Sequence, residues 1–431
     1  MTDEELYKKV HEIIYKNMCD GTLDNGMPYH FTKPSPGTYP FQFFWDTCFH
    51  VYIFTALGDH EMAKQHLQSL FSRQQDDGFV GHMIYWDTLR PGRITDIFQS
   101  KPTLKNLYKS HMTALIQPPL AAQATMRIYE ASGDKGFLQE MVPKLKKYYD
   151  WIAKNRDFDG DGLITIITPY ESGMDWKPTY DVALGMEPAK AGKKLFLKVT
   201  GVDFWNFIHN YNYKKIREKG KFLVKDAGFN TIYAQNLKAL SLLCNELNDD
   251  ESSKHYMDLS HKVANSICKV MYDDTDAAFY DVYGHDNKKI KVLTPTIFYP
   301  LILNEIDETI EQKVLKTHFF DYNEFNATYP IPSVAKNNAS FNPDESLYLW
   351  RGPVWIINNW FMHRLLLKKG YPEEAQKLID SIRQLIDKSG FREYYNPFTG
   401  EGHGAKEFTW AGLIIDMLEV QKQETVENTK V

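Results

Sequence analysis

The sequence lacks the excess of positive charge that marks nucleic-acid-binding proteins. Its 50 Lys and Arg residues are outnumbered by 56 Asp and Glu residues, which gives a formal net charge of -6. Because binding to a phosphate backbone depends on clustered basic side chains, we predict no nucleic-acid partner.

Long hydrophobic runs are also missing. The longest apolar stretches, such as residues 296–303, are far shorter than the roughly 20 residues of a membrane-spanning helix. The first ten residues are acidic and polar, unlike a secretory signal. We therefore predict no membrane partner and a cytoplasmic protein.

Cysteine is scarce, and its spacing suits neither a zinc site nor a disulfide framework. The four cysteines lie in apolar helical contexts without a C-x-x-C pair: Cys19, Cys48, Cys244 and Cys268. Buried free thiols are the expected state. No metal and no cofactor is predicted.

One acidic stretch imitates the start of a calcium loop. Residues 157–162 read Asp-Phe-Asp-Gly-Asp-Gly, but Thr168 occupies the position where such a loop has its bidentate glutamate. A tight turn after a helix is therefore the better prediction, and calcium binding stays open.

Helical periodicity covers most of the chain and comes in pairs. Tight turns near residues 58, 133, 249 and 371 separate successive amphipathic segments. A middle pair of helices is predicted near residues 202–218 and 296–318, and about twelve helices result in all. Repeated helical hairpins form either a solenoid or a ring. The long aromatic-rich loops fall on one side and favour a ring around one cavity, with short β-hairpins (residues 163–167, 278–282 and 290–293) on that face.

Two kinds of helix are visible. Residues 41–52 and 351–364 mix aromatic and polar side chains, which suits an inner ring around a wet cavity, whereas 61–70 and 373–386 have one apolar stripe and suit an outer ring. Neither a linker nor a low-complexity tract interrupts the pattern. We predict one domain over residues 1–431, with a polar tail at roughly 422–431.

Aromatic residues are abundant, at 14% of the chain. Packing is the first explanation, because aromatic side chains bury large areas in any core. Many of them lie in Gly- and Pro-rich loops, however, and flat aromatic faces suit the C–H faces of sugar rings. A carbohydrate-binding pocket is an equally good interpretation.

Two carboxylates lie four residues apart in a segment that cannot form a regular helix. Glu171 and Asp175 are separated by Gly173, and Pro178 follows. An acid beside the apolar ring of Trp176 is expected to have a raised pKa, as a proton donor in a sugar-cleaving site does. Alternatively, Glu171 caps a turn and Asp175 is solvated.

A second acidic loop spans residues 390–404 and contains several glycines. Here Glu393 is flanked by Arg392 and two tyrosines. An ionised glutamate in this setting is able to deprotonate a water molecule. A salt bridge with Arg392 is the alternative. A further carboxylate, Asp46, either binds vicinal hydroxyls or caps its helix.

Taken in order, these segments resemble the signature blocks of glycoside hydrolase family 63, in the branch of mannosylglycerate and glucosylglycerate hydrolases. The blocks that carry the resemblance are Trp45-Asp46, Gln75-Asp76-Asp77-Gly78 with His82-Met83, Glu171-Ser172-Gly173-Met174-Asp175, Trp350-Arg351-Gly352-Pro353-Val354-Trp355, and Glu393-Tyr394-Tyr395-Asn396-Pro397 with Thr399-Gly400 and Gly402. They extend from residue 45 to beyond residue 400. The resemblance implies an all-α (α/α)6 barrel that hydrolyses a small α-glycoside with inversion, releasing glucose or mannose from a compound such as glucosylglycerate or mannosylglycerate.

The resemblance also implies roles. Asp175 matches the general acid and Glu393 the general base, which in an inverting pair are separated by roughly 6.5–9.5 Å. Glu171 is then a hydroxyl ligand or a neighbour that raises the pKa of the acid. The predicted substrate-binding residues are Tyr39, Trp45, Asp46, His82, Gln117, Glu171, Gly173, Trp176, Lys177, Trp350, Arg351, Gly352, Trp355, Tyr394, His403 and Trp410.

The chain departs from the family pattern immediately after the acid. Where the family has Asn-Ser-Pro, this sequence has Trp176-Lys177-Pro178. Lys177 therefore either receives an anionic aglycone such as glycerate or is solvated.

Other functions remain open at this stage. Sugar epimerases use similar barrels but transfer protons with paired histidines, whereas the histidines here are scattered along the chain. A non-catalytic sugar-binding protein, or an α-glucosidase for short oligosaccharides or trehalose-like disaccharides, is also compatible. The oligomeric state is not predicted.

Overall fold

The computed structural model describes residues 1–23, 25–86, 94–101, 112–188 and 192–428. Within these ranges the α-helices are α1 (Asp3–Lys16), α2 (Phe44–Ala56), α3 (His60–Phe71), α4 (Ile94–Phe98), α5 (Ala121–Ser132), α6 (Lys135–Arg156), α7 (Thr179–Ala183), α8 (Lys193–Ile208), α9 (Tyr213–Lys219), α10 (Ala227–Glu246), α11 (Asp250–Met271), α12 (Glu308–Val314), α13 (Ile356–Lys368), α14 (Pro372–Ser389) and α15 (Ile414–Asn428). The segment predicted as a polar tail continues as helix to Asn428, and residues 429–431 lie outside the described residues.

The helices form the predicted (α/α)6 barrel. Going around the inner ring, α2 packs against α5, α5 against α10, α13 against α15, and α15 against α2. Outer helices pair with them: α3 with α2, α6 with α5, α11 with α10, α14 with α13, and α1 with α15. Between α10 and α13, two short 3₁₀ turns contact both neighbours and complete the ring.

At the inner position between α10 and α13, the structure differs from the predicted helix. The pattern near residues 296–318 predicted a helix, but the chain forms 3₁₀ turns over Pro295–Ile297 and Tyr299–Ile302 before the short helix α12. Pro300 lacks a backbone N–H and its ring clashes with the preceding helical turn, so a continuous helix cannot pass through this point.

The predicted difference between inner and outer helices is confirmed. In α2 every residue from Phe44 to Thr55 is buried, because its whole circumference is covered by neighbouring helices. In α14 the buried residues lie along one stripe that includes Leu378, Ile382 and Leu385, and the opposite face is charged. The largest cluster of buried apolar residues extends from Leu6 to Leu418.

Short antiparallel strands decorate the barrel. The pairs are β1 (Met18–Thr22) with β2 (Pro28–Thr32), β3 (Gln42–Phe43) with β4 (Met83–Ile84), β5 (Val224–Lys225) with β8 (Val282–Tyr283), β6 (Tyr272–Asp273) with β7 (Ala278–Phe279), β8 with β9 (Lys288–Lys289), and β10 (Arg392–Tyr395) with β11 (Gly402–Lys406). Residues 163–167, predicted as a strand, contribute only an isolated bridge between Ile166 and Val224.

The calcium-like stretch is a tight turn after α6, as predicted. The backbone N–H of Gly162 donates to Asp157 Oδ2 over 2.9 Å. The buried ammonium of Lys225 lies 2.7 Å from a carboxylate oxygen of both Asp159 and Asp161. A lysine side chain thus supplies the positive charge that faces these carboxylates.

The loop that follows this turn is fixed by a buried ion pair. Arg156, at the end of α6, donates to both carboxylate oxygens of Glu171, over 2.7 and 2.5 Å, and both side chains have no exposed surface. The backbone N–H groups of Ile116 and Ile167 donate to the same carboxylate. Because every charge is paired, burial of the pair specifies one position for the loop.

The sequence also led us to expect no membrane-spanning helix and free cysteines. Among the described residues, the structure shows no helix that is long and apolar enough to cross a membrane. The four cysteines are free; Cys48 and Cys244 are buried, while Cys19 and Cys268 are half-buried.

Replacing Glu171 with Ala is expected to lower the free energy of unfolding by about 3–5 kcal/mol, because Arg156 then stays buried without its partner. Urea denaturation measures the effect. Glu140→Ala is the matched control: its partner Lys144 is on the surface, and the loss is expected to stay below about 1 kcal/mol. Equal losses in the two variants would contradict this role of the buried pair.

Candidate active site

A cavity opens where the inner helices begin. Residues preceding or within the first turns of α2, α5, α13 and α15 reach it, so the N-terminal ends of these inner helices face one cavity of about 90 Å³. Its lining residues are Pro34, Tyr39, Phe43, Trp45, Asp46, His82, Gln117, Tyr170, Gly173, Asp175, Leu349, Trp350, Trp355, Glu393, Phe408 and Trp410. Asp175 and Glu393, far apart in sequence, thus line the same cavity.

Asp175 lies on the turn after the 3₁₀ helix Pro169–Ser172 and is half-buried. Burial, together with the negative charges of Asp46, Asp203 and Glu393, raises the pKa of its carboxyl to about 8, against a backbone hydrogen bond that lowers it. Near neutral pH this carboxyl is therefore mostly protonated and able to donate a proton.

Glu393 lies on β10 and has a different environment. The hydroxyl of Tyr39 donates to Oε1 over 2.5 Å, and the backbone N–H of Ala405 on β11 donates to Oε2 over 2.7 Å. Burial raises the pKa of Glu393, while these two hydrogen bonds act in the opposite direction. Donors aimed at both oxygens favour the ionised form, which accepts a proton.

A third carboxyl, Asp46, lies in the first turn of α2. The indole N–H of Trp410 donates to its Oδ1 over 2.7 Å. Burial raises the pKa of Asp46 to about 7, and the charge of Glu393 adds to this rise. Its carboxyl lines the cavity, where it is placed to bind hydroxyl groups.

Two polar side chains of the wall are held in single orientations. Gln117 Oε1 accepts the backbone N–H of Trp45 over 3.0 Å. His82 Nδ1 lies 2.6 Å from Thr113 Oγ1, which accepts the N–H of Met83. Burial lowers the pKa of His82 to about 3, so its ring is neutral near pH 7.

Indole rings form much of the apolar wall. Trp350 and Trp355 stack with their ring centroids 3.9 Å apart, and Trp45 meets Trp410 edge-on at 5.3 Å. Gly173 adopts a φ of +71°, and a Cβ atom there would lie 2.4 Å from the Trp45 ring. Only glycine lets the acid loop lie directly on this indole.

Three of the charged residues predicted to bind substrate are instead buried in ion pairs. Glu171 binds Arg156, so its carboxylate is not available to a hydroxyl of the substrate. It is also not among the charges that raise the pKa of Asp175, which are those of Asp46, Asp203 and Glu393. Arg351 donates to both oxygens of Asp181.

Lys177 is likewise outside the cavity. Its side chain is 1% exposed, and its ammonium lies between two carboxylates, those of Asp226 and Asp281. Both expectations, that Lys177 receives an anionic aglycone or that it is solvated, are corrected by this burial.

Four other predicted residues also lie behind the cavity wall. Trp176 packs edge-on against Tyr170 and Tyr348. The remaining three have structural contacts: Gly352 donates to Ser333 Oγ, Tyr394 stacks on Trp355, and His403 is opposite Tyr394 across the β10–β11 pair. A position close in sequence to a wall residue therefore does not ensure that a side chain lines the cavity.

The sequence analysis missed five wall residues. Phe43, Tyr170 and Leu349 each lie within two residues of a predicted site residue, so their proximity was an available signal. The same holds for Phe408, two residues before Trp410, whereas Pro34 carries no local signal, because it reaches the cavity only through tertiary packing. Within the described ranges, no group of three or more His, Cys, Asp or Glu side chains is placed to hold a metal ion.

Comparison with known proteins identifies the family of this chain. The family model described as "Mannosylglycerate hydrolase MGH1-like glycoside hydrolase domain" matches residues 39–411. A mannosylglycerate hydrolase of Rubrobacter radiotolerans is 26% identical over 447 residues, covering 96% of this chain and 99% of that protein. A glucosylglycerate hydrolase of Mycolicibacterium hassiacum is 26% identical over 433 residues, covering 90% and 94%.

Solved structures give the same result. The crystal structure of a GH63 mannosylglycerate hydrolase from Thermus thermophilus, in complex with Tris and D-glycerate, has a TM-score of 0.84 and 25% sequence identity, covering 96% of this chain and all of that one. With a family model matching most of its length, the chain belongs to the mannosylglycerate hydrolase MGH1-like family of GH63 glycoside hydrolases, and it is a glycosidase.

Proposed function

We propose that this enzyme hydrolyses a glyceryl α-glycoside, mannosylglycerate or glucosylglycerate, with inversion at the anomeric carbon. One observation carries the proposal: Asp175 and Glu393 line the same cavity, where burial and negative neighbours raise the pKa of Asp175 to about 8 while Glu393 accepts a hydrogen bond on each carboxylate oxygen. A carboxyl that holds its proton and a carboxylate that accepts one are the two groups that glycoside hydrolysis with inversion needs.

In the single displacement step of an inverting reaction, Asp175 acts as general acid. Its proton passes to the glycosidic oxygen as the bond to the anomeric carbon breaks, so the glycerate leaves as a neutral alcohol rather than an alkoxide. The raised pKa keeps the proton on Asp175 until that moment.

Glu393 acts as general base on the attacking water. It accepts one proton from the water while the oxygen bonds to the anomeric carbon from the face opposite the leaving group, which converts an α-glycoside to a β-sugar. Tyr39 and Ala405 hold both carboxylate oxygens in place, which fixes the position of the water.

The substrate class is supported by the relatives. Those compared above are named for mannosylglycerate and for glucosylglycerate, and the T. thermophilus structure holds D-glycerate. The choice between mannose and glucose depends on the hydroxyl at C2, and both glycosides belong in the first assay.

The epimerase alternative is not favoured by any feature of the site. His82 is the one histidine among the described lining residues of this cavity, and burial keeps its ring neutral. A proton-transfer pair of histidines, which that chemistry uses, is therefore not found in the described wall.

Asp175→Asn is expected to lower kcat for the glyceryl α-glycoside by roughly 100- to 10,000-fold, because the leaving group is no longer protonated. The matching α-glycosyl fluoride, whose leaving group needs no proton, is expected to keep most of its turnover. Steady-state kinetics on both substrates measures the contrast. Glu393→Gln is the matched control and loses turnover of both substrates, since water activation is common to both; unchanged hydrolysis in Asp175→Asn would exclude the assigned acid.

The pH dependence follows from the same two groups. Asp175 works protonated, so kcat/KM for the glyceryl glycoside should fall as pH rises through about 8. Glu393 works ionised, so activity should also fall as pH drops through its raised pKa. With the α-glycosyl fluoride the alkaline decline is expected to disappear. A profile with the same alkaline decline for both substrates would argue that Asp175 is not the acid.

A substrate screen tests the proposed function directly. The panel is α-mannosylglycerate, α-glucosylglycerate, a kojibiose-type disaccharide and trehalose, with the first-formed anomer followed by NMR. We expect one glyceryl glycoside to be cleaved fastest and the β-anomer to appear first. An α-anomer would contradict inversion, preference for a disaccharide would contradict the glycerate aglycone, and exchange at C2 without cleavage would point to an epimerase.

A further inference from the structure

We propose that Lys177 is the positioning residue for Asp175: its buried ammonium fastens the acid loop to the start of α10 and so sets the direction from which the proton is delivered. This inference rests on the proposed function of Asp175 and deepens it. It concerns the position at which this chain departs from the family pattern.

The ammonium of Lys177 is fully engaged inside the protein. Nζ lies 2.5 Å from Asp226 Oδ2 and 2.7 Å from Asp281 Oδ2, and it donates to Thr296 Oγ1 over 3.3 Å. With its side chain 1% exposed, it has no surface left for a ligand. Two of its donors make hydrogen bonds, to Asp226 and Thr296, and its charge is also paired with Asp281.

The two aspartates are in turn attached to the beginning of α10. Asp226 caps the helix by accepting the backbone N–H of Phe229, and it also accepts the hydroxyl of Tyr180. Asp281 Oδ1 accepts the N–H of Ala227. Lys177 is therefore fixed to the inner ring itself and not to another surface loop.

One tight turn connects Lys177 to the proposed acid, Asp175. The backbone N–H of Lys177 donates to Met174 O over 3.0 Å, so Asp175 and Trp176 are the two central residues of a four-residue turn. Met174 N–H donates to Ser172 Oγ. In the described structure no side chain donates to the Asp175 carboxyl, so its direction depends on how this turn is held.

The ion pairs of Lys177 with Asp226 and Asp281 make this part of the structure sensitive to substitution of the lysine. Lys177 lowers the pKa of Asp226, whereas burial and the neighbouring charge of Asp226 raise the pKa of Asp281. Without the ammonium, two adjacent carboxyls remain buried and repel each other. Water or a displaced turn must then fill the space, and Asp175 shifts with the turn.

The test compares two leaving groups in Lys177→Met, using the glyceryl α-glycoside that the unmodified enzyme cleaves and the matching α-glycosyl fluoride. A misplaced acid is expected to lower kcat for the glycoside by about 100-fold, while the fluoride, which needs no acid, changes by less than about 3-fold. The alkaline decline of the glycoside reaction should move to lower pH, because a displaced Asp175 is less buried.

Lys225→Met is the matched control. Lys225 is also a buried lysine between two aspartates, but these belong to the turn after α6 and line no part of the cavity. It is expected to lower thermal stability without changing the glycoside-to-fluoride ratio. The double variant Lys177→Met/Asp281→Asn leaves one buried carboxylate, that of Asp226, in place of two repelling ones; it is expected to fold and should still show the altered ratio.

Equal losses on both substrates in Lys177→Met, with the alkaline decline unmoved, would overturn the proposal and leave Lys177 a purely structural residue. An altered ratio in Lys225→Met would also overturn it, because any buried lysine would then have the effect. If the unmodified enzyme cleaves neither glyceryl glycoside, the proposed substrate fails instead, and the same comparison is made on the α-glycoside that the substrate screen identifies.

Discussion

Two buried ion pairs hold the loop that carries Asp175, and the geometry of the cavity depends on them. Arg156 binds Glu171 four residues before the acid, and Lys177 binds Asp226 and Asp281 two residues after it. Charges removed from water are tolerated only where each finds its partner in good geometry. The loop therefore has one conformation in which both sets of charges are satisfied, and Gly173 lets that conformation lie on Trp45.

The ring of helices supplies the second half of the site. Because the inner helices all begin at the same end, loops distant in sequence converge there, and β10 brings Glu393 to the cavity that Asp175 lines. The N-terminal ends of helices carry a partial positive charge, which suits a space lined by carboxyl groups. The fold thus gathers acids that would repel one another elsewhere.

Differences in hydrogen bonding distinguish the two carboxyl groups, Asp175 and Glu393. Glu393 receives donors on both oxygens, whereas Asp175 has none from a side chain and its pKa is raised chiefly by burial. Desolvation favours a neutral carboxyl, and donors favour an ionised one. The proposed acid and base therefore differ through their surroundings, although both are carboxylic acids in one cavity.

The sequence by itself determined the paired helices, the difference between inner and outer helices, and the two acidic loops, because helical periodicity and loop composition are local properties. The resemblance to GH63 added the (α/α)6 ring and the choice of Asp175 and Glu393, but neither source could tell a ligand-binding Glu171 or Lys177 from a buried one. Those assignments depend on Arg156, Asp226 and Asp281, which only the folded chain brings into contact. Tertiary structure decided them, since whether a charged side chain faces substrate or protein depends on the partner that burial places beside it.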